Sequence, residues 1–529
     1  MVLPTKSSRH IVIAKGNTSS KNIVLAESST PPTDITETNG ARVCTGVDSS
    51  DTPDVNSKPF PLNLPEKIGL THGQNSKAYV VINNAGNIRA HEVGSKKANN
   101  LIRQIYATEE GKILRRSALN EVNEYLQDYA EMALKKENIW YRVAPIQNGI
   151  EIDLGDDGHT NIQVLPSQVI ITNNNSQVLF NRPPNMRPFE SPYSQGDLSL
   201  INKYLNLSDA DTLLIIAWLS YTLAHPKYPS SNYVHLILGG DQGSGKTTMC
   251  RFIQELLDPS TIGVQSFPTN PKDLGIAAEQ SHVLFYDNMR SIKQSMADSL
   301  CIASTGGNMT TRQLYTNDGM HALNLHCPVV MNSLHPIINQ PDLAQRSLPL
   351  TLKRITGSNR KAESELVKKF HEDLPMIFRG LLDLISNIFT HLPATEPTNP
   401  ERMYDFSHWL AAMEKVNAMP CGVYQSAYSH VLQDAMLDSL LDNPLAEAII
   451  AFADNMDAST WSDTPSRLLT ELNMSIDIRT QRSSDWPSNA ISLSKRLISM
   501  KGGLLSQGIE VIFTRGKNRQ ITITRMEDF

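Results

Sequence analysis

A chain of 529 residues is too long for one hydrophobic core and is expected to fold as three or four domains. Its 48 Lys and Arg stand against 54 Asp and Glu, and the net charge of −6 excludes a wholly basic nucleic-acid coat while leaving local basic patches open. Cys44, Cys250, Cys301, Cys327 and Cys421 form no C-x-x-C pair and have no His at ligand spacing, so neither a disulfide framework nor a zinc site is expected and a reducing, cytoplasmic setting fits. The most apolar segment, Leu213–Ala224, is interrupted by Ser220, Tyr221 and Thr222 and falls short of the roughly 20 residues that cross a bilayer. It is expected to be a core helix, with no membrane span, and the N-terminus lacks the pattern of an export signal.

Residues 1–65 are rich in Ser, Thr, Asn, Asp and Pro, as in Ser28–Thr33, and are expected to be a disordered tail or linker. Two short apolar runs in it, Ile11–Ala14 and Ile23–Ala26, could pair as a hairpin. Residues 66–195 are expected to form a mixed α/β domain. Lys77–Asn83 and Asn87–Ala90 suggest a hairpin, while Leu119, Val122, Leu126, Tyr129 and Met132 recur at helical spacing within Ala118–Lys135. Ile139–Ala144, Gly149–Leu154 and Asn161–Leu165 alternate as strands. Asp156 and Asp157 lie in a Gly-Asp-Asp-Gly turn and are assigned no chemistry. Arg182–Pro188 is a Pro-rich connector, and Asp197–His225 suggests helices.

Residues 196–395 carry the strongest chemical signal. The apolar run Val234–Leu238 predicts a buried strand, Gly240–Lys246 with Thr247 matches G-x-x-x-x-G-K-[ST], and Met249, Phe252, Ile253, Leu256 and Leu257 then follow at helical spacing. A triphosphate must be wrapped by backbone N–H groups. Gly240, Gly243 and Gly245 can take conformations closed to other residues, and Asp241, Gln242 and Ser244 complete the loop. Lys246 is expected to reach the β- and γ-phosphates of ATP, Thr247 to offer its hydroxyl to Mg²⁺, and Thr248 to flank them. Some 40 residues on, Val283–Asp287 is an apolar strand ending in an acid, and Asp287 is expected to hold Mg²⁺ beside the phosphates. His235 and His282 fall within strands and are expected to be core residues. Thr305–Met320 reads as a hairpin, structural or DNA-contacting, with Arg312 as its candidate contact. Pro328–Ser333 is a further strand carrying Asn332, and Asp342–Arg346 precedes the strand-like Leu348–Leu352.

This order of motifs resembles the AAA+ ATPases, and within them the superfamily 3 helicase-like ATPases of phages, plasmids and integrated elements. The similarity to a primase-helicase group rests on Asp287-Asn288, on Gly306, Gly307, Arg312 and Leu314–Thr316, on the Pro328–Asn332 strand and on the Asp342–Arg346 segment, and runs from about Ile139 onward. The resemblance implies that Asn332 touches the γ-phosphate or attacking water. It also implies that Arg346 reaches a neighbouring subunit's nucleotide, in a homo-oligomeric ring, most simply a hexamer; a surface or ion-paired arginine is the plain alternative. Many AAA+ ATPases place Glu directly after the Mg²⁺-linked acid. Asn288 stands there instead, and an amide is no general base, so either hydrolysis is slow or an acid such as Glu279 serves.

Residues 396–529 are expected to be helical over Phe406–Lys415, Tyr424–Leu441, Leu445–Asn455 and Thr464–Leu472, ending in a winged helix. In that last part a helix begins near Trp486, and Ile509–Arg515 pairs with Arg519–Arg525. From residue 479 onward nine basic residues face four acids, a local charge of +5 on a chain otherwise at −11. Lys495, Arg496, Arg515, Lys517 and Arg519 are therefore candidate DNA contacts, although a basic packing surface would read the same. The expected protein is an ATP-dependent DNA helicase or remodelling motor of a phage or mobile element. A separate primase chain would supply any priming, since residues 1–138 show no primase residues. An ATP-switched regulator or anti-phage defence ATPase is the main alternative, and a small-molecule phosphotransferase a lesser one.

Overall fold

A computed structural model describes residues 11–12, 24–25, 68–84, 87–111, 113–134 and 136–526, apart from 174–175, 177, 229, 313–319, 335–336, 338–339, 356–361, 442, 484–485 and 515–518. The chain is mixed α/β and separates into two compact units, one of Pro4–Trp140 with Asn173–Arg182, the other of Tyr141–Thr172 with Pro183–Phe529.

In the smaller unit, β1 (Ile11–Val12) and β2 (Val24–Leu25) pair antiparallel over two residue pairs. The rest of the predicted tail lies outside the described residues. A five-stranded sheet contains β3 (Ile68–Gly73), β4 (Ala78–Asn84), β5 (Asn87–Glu92), β6 (Lys136–Glu137) and, returning from later in the chain, β11 (Phe180–Asn181), in the order β11-β5-β4-β3-β6. Helices α1 (Lys96–Glu110) and α2 (Arg116–Ala133) bury Ile102, Ile105, Val122 and Leu126 against Leu70, Ala78 and Val80. Ser95 caps α1 by accepting from Ala98 N, and left-handed Gly111 ends it.

The larger unit opens with a meander of β7 (Val143–Ile146), β8 (Gly149–Asp153), β9 (Asn161–Leu165) and β10 (Gln168–Thr172). The boundary expected at residue 195 places these strands in the N-terminal domain. Long-range bonds move them into the larger unit instead. Arg142, fully buried, donates from Nε to Asp258 Oδ1 at 2.9 Å and from Nη2 to Arg187 O and Pro259 O. Ser386 Oγ donates to Leu165 O at 2.6 Å. Asp156 accepts from Thr160 N and Oγ1, as a turn residue does.

The centre is a parallel sheet of β12 (His235–Gly239), β13 (Gln265–Ser266), β14 (Leu284–Met289), β17 (Val329–Ser333) and β18 (Ser347–Thr351), ordered β13-β14-β17-β12-β18. Parallel strands need both faces covered, and alternate residues of each strand go to opposite cores. Leu236, Leu238, Phe285 and Val330 join α3 (Asp209–Ala224), α4 (Lys246–Leu257) and α8 (Glu363–His391). Ile237, Leu284, Tyr286 and Met331 join α5 (Pro271–Glu279), α6 (Gln294–Thr305) and α7 (Pro341–Ala344). Between α6 and β17 stands the hairpin of β15 (Gly307–Arg312) and β16 (Met320–Leu325).

No break in the core falls at residue 395. Helices α9 (Tyr404–Val416) and α10 (Val423–Leu441) share the core of α3 and α8, and Trp409 Nε1 donates to Ser220 Oγ at 2.9 Å. A separate core begins after them. It is built from α11 (Pro444–Asp454), β19 (Thr460–Asp463), α12 (Pro465–Ser475), α14 (Ala490–Leu505), β20 (Ile509–Thr514) and β21 (Gln520–Arg525), with strand order β19-β21-β20, while the short α13 (Ile478–Gln481) buries no side chain. Asn443, Thr464 and Asn489 cap α11, α12 and α14, the first two with Pro at the opening position. No helix among the described residues is long and apolar enough to cross a membrane.

Candidate nucleotide site

All five central strands run the same way, so their C-terminal ends share one rim, where α/β sheets bind ligands. The loop Gly240–Gly245 leaves β12 at this rim. Gly240 has φ +131°, and a Cβ there would stand 2.8 Å from Leu352 O; Gly243 and Gly245 have φ of +80° and +89°. These are backbone states that only glycine enters cheaply. Asp241, Gln242 and Gly243 are exposed, whereas Ser244 is buried with no hydrogen-bond partner for its Oγ among the described residues. Asn206 Nδ2 braces the loop from outside, donating to Ser244 O at 3.1 Å and to Lys353 O.

Lys246 opens α4 and folds back on the loop, its Nζ donating to Gly240 O at 2.6 Å and Asp241 O at 2.9 Å. Partial burial lowers its pKa from the ordinary lysine value, against the opposing pull of Asp241 and Asp287. Thr247 Oγ1 donates to Asp287 Oδ2 at 3.0 Å. The residues proposed for phosphate and for metal therefore meet at one rim. Thr248 faces elsewhere: its Oγ1 lies 3.3 Å from Glu363 Oε1, which also receives Arg251 Nη1 at 2.7 Å.

At the end of β14 the ladder slips. Tyr286 pairs with Met331 but Met289 with Ser333, so Asp287 and Asn288 together oppose Asn332. Asn288 has φ +55°, and its N–H donates to Asn332 Oδ1 at 2.8 Å. Asn332 is buried, and its Nδ2 lies 3.4 Å from Cys250 Sγ, whose thiol burial pushes up to about 12. Glu279 is not near this rim. It ends α5 ahead of β14, where Lys227 Nζ donates to the carbonyls of Ala278 and Ser281, so the length of β14 separates it from Asp287.

Arg346 stands at the opposite end of the sheet. Its carbonyl accepts from His235 N at the start of β12, whereas the glycine loop follows the end of β12, about 16 Å away along a five-residue strand. The guanidinium is ion-paired with Asp342, whose carboxyl it holds below the usual range, and Arg402 joins the same carboxylate at 2.6 Å. Arg346 Nε is buried without a hydrogen-bond partner among the described residues. Within one protomer, then, the fold does not bring Arg346 to Lys246.

Of the candidate DNA contacts, Arg312 pairs with Met320 at the end of the β15–β16 ladder. Lys495 is exposed on α14, Arg496 is half-buried, and Arg519 is exposed before β21. Arg515 and Lys517 lie outside the described residues. No local pattern marks Asn206 or Glu363, which arrive from distant segments.

Residues 198–439, which include the glycine loop, Asp287, Asn332 and Arg346, match the family model of the actinomycete integrative conjugative element replication protein. Residues 445–528, the separate C-terminal core, match the model of that protein's C-terminal domain. The chain is a replication protein of mobile-element type. More particularly, both matched segments are similar to the replication protein of actinomycete integrative conjugative elements. No curated protein matches it. Two apo structures of the NrS-1 C-terminal region are each 13% identical to it. They cover 87% of this chain and 97% and 96% of their own, with TM-scores of 0.36 and 0.34.

Proposed function

We propose that the protein is a P-loop ATPase of AAA+ type that works on DNA during replication of its element. The observation that carries this reading is the rim itself, where a glycine cradle, Lys246 and the Thr247–Asp287 pair come together. The residues suit the ligand. A Cβ would fill the cradle at Gly240, Ser244 Oγ is an orphaned buried group within it, and the Thr247 hydroxyl and Asp287 carboxylate are hard oxygen donors fitting Mg²⁺. Lys246 would leave the carbonyls of Gly240 and Asp241 for the β- and γ-phosphates, the loop N–H groups would orient them, and Thr247 and Asp287 would hold the ion. When bound, Mg²⁺ neutralises charge on the phosphate oxygens.

Arg346, on the far rim, suits a role in trans: its guanidinium would act on a neighbouring protomer's nucleotide, which makes hydrolysis a property of a ring, a hexamer in the simplest case. The core from α11 to β21 we read as a winged helix. In it α14 with Lys495 and Arg496, and the segment between β20 and β21 with Arg515, Lys517 and Arg519, would contact phosphates; Arg312 would contact DNA from the β15–β16 hairpin. A cytoplasmic protein working with a separate primase completes this reading. Asn288 favours a second one, a nucleotide-switched assembly that binds ATP without translocating.

The experiment is steady-state ATP hydrolysis with and without single-stranded DNA, beside Lys246→Ala and Arg346→Ala. DNA-stimulated turnover abolished by both substitutions is expected, with Arg346→Ala alone restored by mixing with Lys246→Ala. ATP-driven assembly with turnover near zero in every arm would remove the motor and leave the switch.

A further inference from the structure

We propose that Asn288 is the residue that positions the attacking water, and that Asn332 acts on it through the backbone as a positioning residue. The inference rests on the ATPase reading above. Its ground is the slip in β14. Two residues, Asp287 and Asn288, occupy the space opposite Asn332, and a bulge of this kind re-aims the side chains that follow it. Regular alternation would send neighbouring side chains to opposite faces. Here Asn288 instead takes left-handed φ, a state Asn tolerates better than most residues, and its N–H turns inward to the buried Asn332. Asp287 meets Thr247, and the Asn288 amide is left exposed beside it, with no hydrogen bond among the described residues.

Three carboxylates that could compete for the task are committed or placed elsewhere, and Asp241, on the exposed loop, acts on the Lys246 ammonium. Asp287 takes the Thr247 hydroxyl, Glu363 takes Arg251 and Thr248, and Glu279 is at the other end of the sheet. Asn332 is committed as well, its oxygen to Asn288 N–H and its amino group toward Cys250. It therefore acts by holding the bulge. The chemistry follows from the amide. Its oxygen can accept a hydrogen bond from water and aim the water oxygen at the γ-phosphorus, but it cannot take the proton. As the new P–O bond forms, the bond from the γ-phosphorus to the bridging oxygen breaks and ADP departs with that electron pair. The proton of the attacking water passes to a γ-phosphate oxygen rather than to the protein. Such a site turns over slowly and gains from an added base.

The test uses the full chain with ATP, Mg²⁺ and DNA, and compares Asn288→Gly, Asn288→Asp and Asn332→Ala with Lys246→Ala. Gly and Asp both tolerate the left-handed backbone, so neither substitution need disturb the fold. Asn288→Gly is expected to keep its melting temperature and its affinity for a fluorescent ATP analogue while losing roughly 10²-fold in kcat. Asn288→Asp, which can orient water and accept its proton, is expected to turn over at or above the parent rate. Asn332→Ala should lose kcat like Asn288→Gly, and the double variant should lose little more. Parent-like turnover by Asn288→Gly would overturn the proposal, as would equal losses in the Gly and Asp variants. If the parent binds no ATP, or Lys246→Ala binds and hydrolyses it unchanged, the ATPase reading itself fails and takes this inference with it.

Discussion

Asp258 holds more of the larger unit together than its place at the end of α4 suggests. Its carboxylate accepts from Arg142 Nε, Tyr141 Oη, His282 N and Val283 N, so one side chain ties the entry to β7, the end of α4 and the start of β14. Arg142 also lies over the Phe189 ring, 4.6 Å from its centroid, and both charges are cut off from water. Replacing a buried pair outright can be neutral, but removing one member leaves the other as an uncompensated buried charge. Asp258→Ala is therefore expected to destabilise the larger unit by about 3–5 kcal/mol, seen as a lowered urea midpoint, while Asp258→Ala with Arg142→Met recovers much of the loss. At this scale the glycine loop, Asp287 and Asn332 are legible in the sequence because each is fixed by its neighbours in a short motif. Asp258, Asn206 and Glu363 are not, because their partners lie up to 147 residues away and no local pattern announces them.

Elements were legible where their hydrophobic period was uninterrupted. The helices predicted over 406–415, 424–441, 445–455 and 464–472 emerge as α9 to α12 with ends moved by a few residues. The helix predicted from Trp486 begins instead at Ala490, because the Asn489 side chain accepts from Ser492 N and fixes the start there. Helix α1 escaped notice although Ser95 and Gly111 bracket it as cap and stop. The start of α14 matters for function. Leu493, Leu497, Met500 and Leu504 face the core, which puts Ile491, Lys495 and Ile498 on the exposed side. If that face meets DNA phosphates as proposed, Lys495→Ala should weaken binding by a similar factor on unrelated sequences. The slope of log affinity against log salt should fall by about one. Fluorescence anisotropy over a salt series reads both, and an unchanged slope would take Lys495 out of the interface.

Across the larger unit, three buried histidines serve as hydrogen-bonding wedges between layers. His235 donates from Nε2 to Leu300 O and accepts Val329 N–H at Nδ1, which requires the neutral ring. His282 and His326 lie against Thr222 O and Ser231 O through Nε2. Burial is the leading cause that pulls all three down to about 4, and the backbone bonds oppose it only in part. In the unfolded chain each would bind a proton near 6.5. His225, which burial likewise lowers to about 4, adds a fourth, so between about pH 6.5 and 4 the unfolded state holds up to four protons that the folded state does not, and stability rises with pH through that window and is lost as pH falls. The slope approaches about 1.4 kcal/mol per pH unit for each histidine. The melting temperature should hold near neutrality and drop progressively from about pH 6 downward. His326→Gln, whose amide can still donate to Ser231 O, should flatten the decline by up to one proton's worth. A melting temperature constant from pH 7 to 5, or a slope indifferent to His326→Gln, would mean that these rings are not held neutral. The same core carries the strands that end at the nucleotide rim. Acid would therefore be expected to abolish ATP binding together with the fold, whereas Lys246→Ala abolishes binding and leaves the melting curve in place.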